Sequence, residues 1–196
     1  EGNTKSVQHA LQAYGIDEPD LDKLCPFIGP PLSDSFKEYY GFSEAQAREA
    51  IGHFHEYFTK QGMFENKVYP GITHLLKKCR EQGKKVILAT SKPQIYAKQI
   101  LKHFELAEYF DDIQGSSMDG SKIHKEDVIQ SALSDNQITD MQEVLMIGDR
   151  KHDVLGSGKF GISCVGVLYG YGSREELEPF HPVLLAESCA DLADQL

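Results

Sequence analysis

The sequence has no long hydrophobic run and no concentration of positive charge. No apolar stretch approaches the roughly 20 residues that a membrane-spanning helix needs, and no signal-peptide pattern is visible at the first residues. Acidic residues outnumber basic ones by 30 to 20, and the formal net charge is −10. Such a field repels nucleic acid, because no basic tract offsets it. We therefore expect neither a membrane nor a nucleic-acid partner, and a cytoplasmic location.

Several motifs of common enzyme classes are also missing. The four cysteines are widely spaced and form no CxxC pair, which favours small core residues in a reducing compartment over a disulfide framework. The eight histidines form no HExxH motif and no Cys/His cluster, so zinc is not expected. A GxSxG elbow and a P-loop lysine are absent, which argues against a serine hydrolase and a P-loop NTPase.

The hydrophobic pattern changes near Tyr69. Before it the periodicity is helical throughout, and Ser43 followed by Gln46 predicts a capping box at the start of one helix. After it, short apolar strands such as residues 86–89 and 144–147 alternate with helical segments, which is typical of a parallel sheet covered on both faces. We predict an all-helical domain over residues 1–67 and an α/β domain with a doubly wound parallel sheet over residues 68–196.

Thr90 and Ser91 follow the strand at residues 86–89 and stand at the entrance to a helix. Ligands of an open parallel sheet bind beyond the carboxyl ends of its strands. Free N–H groups and the helix dipole favour an anion at such a place. The residues could alternatively be a helix cap and nothing more. Their position after a buried strand makes them candidates for binding phosphate.

Asp149 and Asp153 span the turn from the strand at residues 144–147 into the next helix. Two converging carboxylates repel each other unless a cation compensates, and the arrangement suits a hard, oxygen-seeking ion such as Mg²⁺. In the alternative interpretation, Asp149 caps the helix and Asp153 is solvated in its first turn. The sequence thus offers a candidate metal site at the same sheet edge as Thr90.

Lys125 opens the helix before the Asp149 strand, where the helix dipole disfavours a cation. A phosphate oxygen in the cleft would explain this placement. A solvated surface lysine is the alternative, and Lys92 and Lys122 are competitors for the same role.

Taken together, these residues resemble the haloacid dehalogenase superfamily, in particular its phosphoglycolate-phosphatase-like branch with a helical cap. The resemblance implies that Thr90 binds the transferring phosphoryl group with Ser91 beside it, that Lys125 neutralises charge, that Asp149 ligates Mg²⁺ and that Asp153 supports the metal site. It also implies that residues 1–67 are the cap and residues 27–32 a substrate-facing loop. The matching segments are Tyr69-Pro70-Gly71, Ala89-Thr90-Ser91-Lys92-Pro93, Lys125, Gly148-Asp149-Arg150-Lys151-His152-Asp153 and residues 166–172.

One family motif has no counterpart in the sequence. The family's first motif is an apolar strand followed by Asp-x-Asp-x-Thr, in which the first Asp attacks phosphorus and the second acts as acid and base. We expect that the nucleophile lies upstream of residue 1. The missing strand would lie between the strands that carry Thr90 and Asp149, so two strand edges should be unpaired, which is costly in a core.

The resemblance implies Mg²⁺-dependent hydrolysis of a small phosphate monoester through an aspartyl-phosphate intermediate, by a monomer. Phosphoglycolate, a nucleotide and a sugar phosphate are all candidate substrates. A phosphomutase or dehalogenase on the same fold and a non-catalytic binding module are the alternatives. The Asp149/Asp153 pair favours metal-dependent phosphoryl chemistry over dehalogenation.

Overall fold

The computed structural model describes residues 1–196, which divide into two compact units, Glu1–Lys67 and Val68–Leu196. The first unit contains no strand. It is built from three α-helices and two 3₁₀ turns, namely α1 (Gly2–Gln12), a turn at Leu21–Phe27, α2 (Leu32–Tyr40), α3 (Glu44–Phe58) and a turn at Gly62–Phe64.

Helices α1 and α3 pack through small and apolar side chains. Val7 and Leu11 of α1 and Ala47 and Ala50 of α3 are completely buried, which follows from their helical spacing along one face of each helix. The apolar face of each helix therefore forms the core of this unit.

An aromatic cluster joins α2 to the turn before it. The ring of Phe27 lies 5.0 Å from that of Phe36 and 5.5 Å from that of Tyr39. Phe27 is buried, although the family resemblance places it in a substrate-facing loop. Its side chain is therefore committed to the aromatic cluster, because burying a large ring is strongly favourable.

Two residues set the boundary between α2 and α3. Gly41 ends α2 in the left-handed conformation, with φ 66°, which glycine adopts without the steric cost of a Cβ. Ser43 caps α3 by accepting from the Gln46 N–H at 3.3 Å, while the Ser43 N–H donates to Gln46 Oε1 at 3.0 Å. The predicted capping box is confirmed.

The second unit alternates strands with helices. Its elements in chain order are α4 (Ile72–Glu81), β1 (Ile87–Pro93), α5 (Gln94–His103), β2 (Asp112–Ser116), α6 (Lys125–Asp135), β3 (Leu145–Gly148), α7 (Lys151–Gly158), β4 (Ser163–Val167), α8 (Arg174–Leu177), β5 (Leu184–Ala186) and α9 (Cys189–Gln195), with 3₁₀ turns at Ala107–Tyr109, Met141–Glu143 and Glu178–Phe180.

Helices cover both faces of the sheet around β4. Neighbouring residues of a strand point to opposite faces. Val165 packs with Leu75 of α4 and Leu192 of α9, whereas Cys164 packs with Val154 of α7. Both faces are thus buried by helices, and the predicted α/β fold class is confirmed.

The five strands form two parallel sheets rather than one. One sheet has the order β1-β2 and the other β3-β4-β5, so β1 and β3 each have one edge that pairs with no strand. These are the two unpaired edges that the sequence predicts. The exposure of β3 follows from this, since Leu145 and Ile147 are each 39% exposed. The apolar strand predicted at residues 144–147 is thus present, but two of its side chains are exposed.

Strand β1 runs further than the sequence predicts. Thr90 pairs with Gly115 of β2, but the next pair is Pro93 with Ser116, so the register shifts between them. Such a bulge redirects side chains and is common beside active sites. Pro93 precedes α5 as its N-cap, with φ −52° and ψ 130°. This extended conformation suits the fixed φ of proline.

The structure contains no disulfide. All four cysteines are free thiols, and three of them are buried, so they serve as small core residues, as predicted. None of the helices combines the length and the hydropathy needed to cross a bilayer.

We predict opposite effects from two alanine substitutions in the helical unit. Gly41→Ala should lower the free energy of unfolding by about 1 kcal/mol, because alanine is strained at positive φ. Gly52→Ala is the matched control, since Gly52 lies inside α3 with open space around it and alanine favours helix by up to about 1 kcal/mol. Urea unfolding measures both. A stabilising Gly41→Ala would contradict the assigned cap.

Candidate active site

Lys125 joins the middle of β1 to the turn that follows β3. Its Nζ donates to the carbonyl oxygen of Ala89 at 3.0 Å and lies 2.8 Å from Oδ1 of Asp153. The side chains of Lys125 and Asp153 are only 13% and 7% exposed. A cation at the start of a helix, which the dipole disfavours, is here compensated by a carboxylate and a carbonyl.

The position of Lys125 depends on how α6 begins and on a glycine in α7. The His124 N–H before α6 donates to Asp127 Oδ2 at 3.2 Å, which fixes the first turn. A Cβ on Gly156 would lie 2.8 Å from Cγ of Lys125. The aliphatic part of Lys125 therefore passes over α7 where that helix has no side chain.

The carboxylate of Asp153 is fully engaged within the protein. Its Oδ2 accepts from the N–H groups of Asp149 at 3.1 Å and Arg150 at 3.0 Å, and its Oδ1 faces Lys125. A Cβ on Gly148 would lie 2.2 Å from Cβ of Asp153, so the turn closes tightly around this side chain. Asp153 thus stabilises the turn that carries Asp149, which is compatible with the predicted support of a metal site.

Asp149 keeps one carboxylate oxygen available. Its Oδ2 accepts from the Tyr171 N–H at 2.8 Å. Burial raises the pKa of the Asp149 carboxyl above its usual range, the Tyr171 N–H opposes this, and the nearby Asp153 charge adds to it. Asp149 does not cap α7, since the N–H groups of that turn bond to Asp153 instead. A half-buried carboxylate beside another negative group would be stabilised by a cation.

The residues of this unit fit a magnesium ion in part. Mg²⁺ is commonly held by one or two carboxylates, with water and substrate phosphate completing its shell. Asp149 offers one such carboxylate, but no group of three or more His, Cys, Asp or Glu side chains is placed to hold a metal. Further oxygen ligands besides the Asp149 carboxylate would be needed to complete such a site.

Thr90 is the last residue of β1 that pairs with β2 before the bulge. Its Oγ1 accepts from the Lys92 N–H at 3.2 Å, so the hydroxyl proton can be donated elsewhere. Ser91 is half-buried beside it. A Cβ on Gly115 would lie 2.5 Å from the Lys92 carbonyl oxygen, so β2 approaches this bulge closely. Thr90 directly follows Ala89, the residue whose carbonyl binds Lys125, and both therefore lie at one sheet edge.

The two competing lysines differ from Lys125. The Nζ of Lys122 donates to Oε1 of Gln114 at 3.3 Å, at a different place from the Lys125 contacts. Burial lowers the pKa of Lys92 to about 8, which leaves it mostly charged at neutral pH. Of the three, Lys125 is the one that contacts both Ala89 and Asp153.

The sequence analysis missed an ion pair that stabilises the start of α7. Arg150 Nε lies 2.8 Å from Glu176 Oε1, and the Lys151 N–H donates to the same oxygen at 3.0 Å. These residues are 26 positions apart, and no local pattern links them. The contact connects α8 to the turn that carries Asp149.

The chain belongs to the haloacid dehalogenase-like hydrolase family, whose model matches residues 1–167. It is 47% identical over 193 residues to a 5′-nucleotidase of Pseudomonas aeruginosa, covering 98% of this chain and 86% of that protein. A phosphoglycolate phosphatase of Vibrio vulnificus is 30% identical over 167 residues, covering 85% of this chain and 68% of that protein.

A solved structure is also closely similar. The crystal structure of a predicted phosphatase from Clostridium acetobutylicum superposes with a TM-score of 0.96 at 46% identity, covering 99% of this chain and 89% of that one. The predicted superfamily is thereby confirmed. The family and these relatives support a phosphoric monoester hydrolase.

We predict that the Lys125–Asp153 pair is strongly coupled. Lys125→Met should cost about 3 kcal/mol of unfolding free energy, because it leaves a buried carboxylate without its partner. In a double-mutant cycle, the variant that carries both Lys125→Met and Asp153→Asn should be destabilised by at least about 1 kcal/mol less than the sum of the two single substitutions.

The Lys159–Glu126 pair is the matched control for this cycle. It also links the α6 and α7 segments, at 2.5 Å, but its side chains are 58% and 35% exposed. Lys159→Met should cost less than about 1 kcal/mol. If Lys125→Met and Lys159→Met lower the free energy of unfolding in urea equally, the buried pair contributes no more to stability than the exposed one, and the prediction is wrong.

We predict that Asp149→Asn raises the melting temperature in EDTA at pH 7. Because the folded-state pKa of Asp149 is raised, folding is favoured while the group is protonated, and that stability is lost as the pH rises through the folded-state value. The increase in melting temperature caused by Asp149→Asn should therefore become smaller as the pH falls toward the ordinary carboxyl pKa.

Asp119→Asn provides a control of opposite sign for this measurement. Hydrogen bonds from Ser117 and Ser121 lower the pKa of Asp119 to about 2, so its charged form is favoured by folding and the substitution should lower the melting temperature at pH 7. Thermal scans of both variants between pH 4 and 8 check this. A less stable Asp149→Asn at pH 7 would contradict the cost assigned to the buried carboxylate.

Proposed function

We propose that this chain forms most of a Mg²⁺-dependent phosphatase that hydrolyses a small phosphate monoester through an aspartyl-phosphate intermediate. The observation that supports this most directly is the placement of Lys125, which contacts the residue before Thr90 and the carboxylate that orders the Asp149 turn. We propose that the Thr90 hydroxyl, the Lys125 ammonium and the Asp149 carboxylate act together beyond strands β1 and β3, where ligands of open α/β sheets bind.

We propose a separate role for each of these groups. The Thr90 hydroxyl donates to a phosphoryl oxygen and orients it, with Ser91 beside it. Lys125 lowers the repulsion between the phosphate and the attacking carboxylate. Asp149 holds Mg²⁺, which when bound supplies positive charge against the phosphoryl oxygens. Asp153 holds the Asp149 turn and Lys125 in place.

The nucleophilic aspartate is proposed to lie on an extended segment upstream of residue 1 that enters between β1 and β3. Both facing edges lack a partner strand, and the exposed Leu145 and Ile147 of β3 would be covered by such a segment. A strand between them would satisfy backbone groups on both sides. Its carboxyl end would meet the same sheet edge as Thr90 and Asp149, and it would supply the second carboxylate for the ion.

We propose nucleoside 5′-monophosphates as the first substrates to test. The relative with 47% identity is named a 5′-nucleotidase, whereas the phosphoglycolate phosphatase is 30% identical. The Glu1–Lys67 unit is proposed to act as the family's cap domain, which selects the leaving group. The free cysteines support a reducing compartment such as the cytoplasm, and a monomer is the simplest assembly.

The test compares two proteins, residues 1–196 alone and the same chain extended by its upstream coding sequence. We expect the extended protein to release phosphate from nucleoside 5′-monophosphates, and to lose the activity with EDTA and regain it with Mg²⁺. The chain that starts at Glu1 should be inactive, because it carries no nucleophile. Lys125→Ala in the extended protein should lower kcat by at least about 100-fold, since it removes electrostatic stabilisation from the reacting phosphate.

The outcomes separate the alternatives. Activity in the chain that starts at Glu1, or full activity after Lys125→Ala, would overturn the proposal. An inactive extended protein that still binds phosphate would indicate a binding module. Transfer of phosphate between positions of a sugar phosphate, rather than release to water, would indicate a mutase.

A further inference from the structure

Two sets of glycines in the α/β unit have different physical roles. In Gly83, Gly120 and Gly161 φ is positive and an added Cβ would meet nothing within 4 Å, so glycine is there for backbone conformation. Gly170 and Gly172 do not have positive φ, yet an added Cβ would collide with neighbouring atoms. Glycine at these two positions therefore provides space for a close approach.

The atoms that would collide with a Cβ on Gly170 or Gly172 belong to Asp149. A Cβ on Gly170 would lie 2.3 Å from Cβ and 2.4 Å from Oδ2 of Asp149, and one on Gly172 would lie 1.9 Å from the Asp149 carbonyl oxygen. Between them, the Tyr171 N–H donates to Asp149 Oδ2 at 2.8 Å. Gly170 and Gly172 thus pack tightly against Asp149, and Tyr171 between them binds it through a hydrogen bond.

We infer that Gly170-Tyr171-Gly172, the Asp149 clamp, is a positioning element that aims the second oxygen of Asp149 at a divalent cation. The inference rests on the proposed function, in which Asp149 holds Mg²⁺. The clamp contacts the aspartate on its Oδ2 side and on its backbone, so Oδ1 remains available. It reaches Asp149 from the segment after β4, 22 positions away in the sequence.

The clamp matters because of the demands of the ion. Mg²⁺ requires near-ideal octahedral geometry with oxygen ligands at about 2.0–2.1 Å, and a carboxylate that rotates away by about 1 Å no longer fits. Residues that hold a metal ligand in place typically change metal affinity by about 10–100-fold when replaced. A methyl group on Gly170 would press on the Asp149 side chain, which can move aside while the chain stays folded.

The experiment measures Mn²⁺ binding by electron paramagnetic resonance, with Mg²⁺ as competitor, in the chain extended by its upstream coding sequence. Asp149→Ala tests whether the ion uses this carboxylate. Gly170→Ala should weaken Mn²⁺ binding by about tenfold or more. Gly166→Ala is the matched control, because an added Cβ there would lie 2.7 Å from Leu185 Cδ2, in the core, and should lower the melting temperature without changing Mn²⁺ affinity.

The outcomes distinguish failure of the inference from failure of the proposed function. Unchanged Mn²⁺ binding in Asp149→Ala would overturn the metal role of Asp149 and the clamp with it. A different result would overturn only the positioning role of the clamp. In that case Asp149→Ala loses Mn²⁺ binding, but Gly170→Ala binds Mn²⁺ as tightly as Gly166→Ala and the unaltered protein.

A second measurement covers the case in which Gly170→Ala does not fold. Amide hydrogen exchange at Tyr171 should be at least about tenfold faster in Asp149→Ala than in Asp149→Asn. The reason is that Asn keeps an oxygen that accepts the Tyr171 N–H, whereas Ala does not. A tenfold faster exchange corresponds to a loss of about 1.4 kcal/mol in the free energy of opening this amide. Equal exchange rates in the two variants would show that this hydrogen bond does not hold Asp149, and would overturn the inference.

Discussion

The active-site edge of the α/β unit depends on one buried ion pair between Lys125 and Asp153. The pair joins the start of α6 to the turn before α7, and the same lysine reaches the carbonyl of Ala89 in the middle of β1. Charges so little exposed are stable only when each is paired and hydrogen-bonded. Both conditions hold here, since Asp153 also accepts from two backbone N–H groups. The phosphate-binding and metal-binding candidates are therefore fixed relative to each other.

The second constraint is close approach of the backbone. Gly148, Gly156 and Gly170 each lie against one of the site's charged residues, where a Cβ would collide. A charged group held this closely has little freedom to reorient, which is the pre-organisation that electrostatic catalysis requires. The unpaired edges of β1 and β3 are the opposite case, because there the chain leaves backbone groups and apolar side chains for a further strand.

Much of this architecture could be predicted from local patterns. The capping box at Ser43 and Gln46 and the end of α2 at Gly41 depend only on neighbouring residues, and both were predicted at the correct positions. The extension of β1 to Pro93 was missed, because pairing with β2 rather than local preference decides where that strand ends. The sequence predicts an unpaired edge beside β3, but an apolar pattern does not show that Leu145 and Ile147 are the side chains left exposed.

The sequence by itself determined the α/β class and the helical first unit, because both follow from periodicity. It also singled out Thr90, Lys125, Asp149 and Asp153 as candidates, from their places beside strands and helix starts and from the family resemblance. Only the tertiary structure decided what each side chain contacts. It showed that Asp153 binds Lys125 and two N–H groups, and that Tyr171 holds Asp149. Such pairings join residues far apart in the chain, and their geometry is set by the packing of whole elements rather than by local sequence.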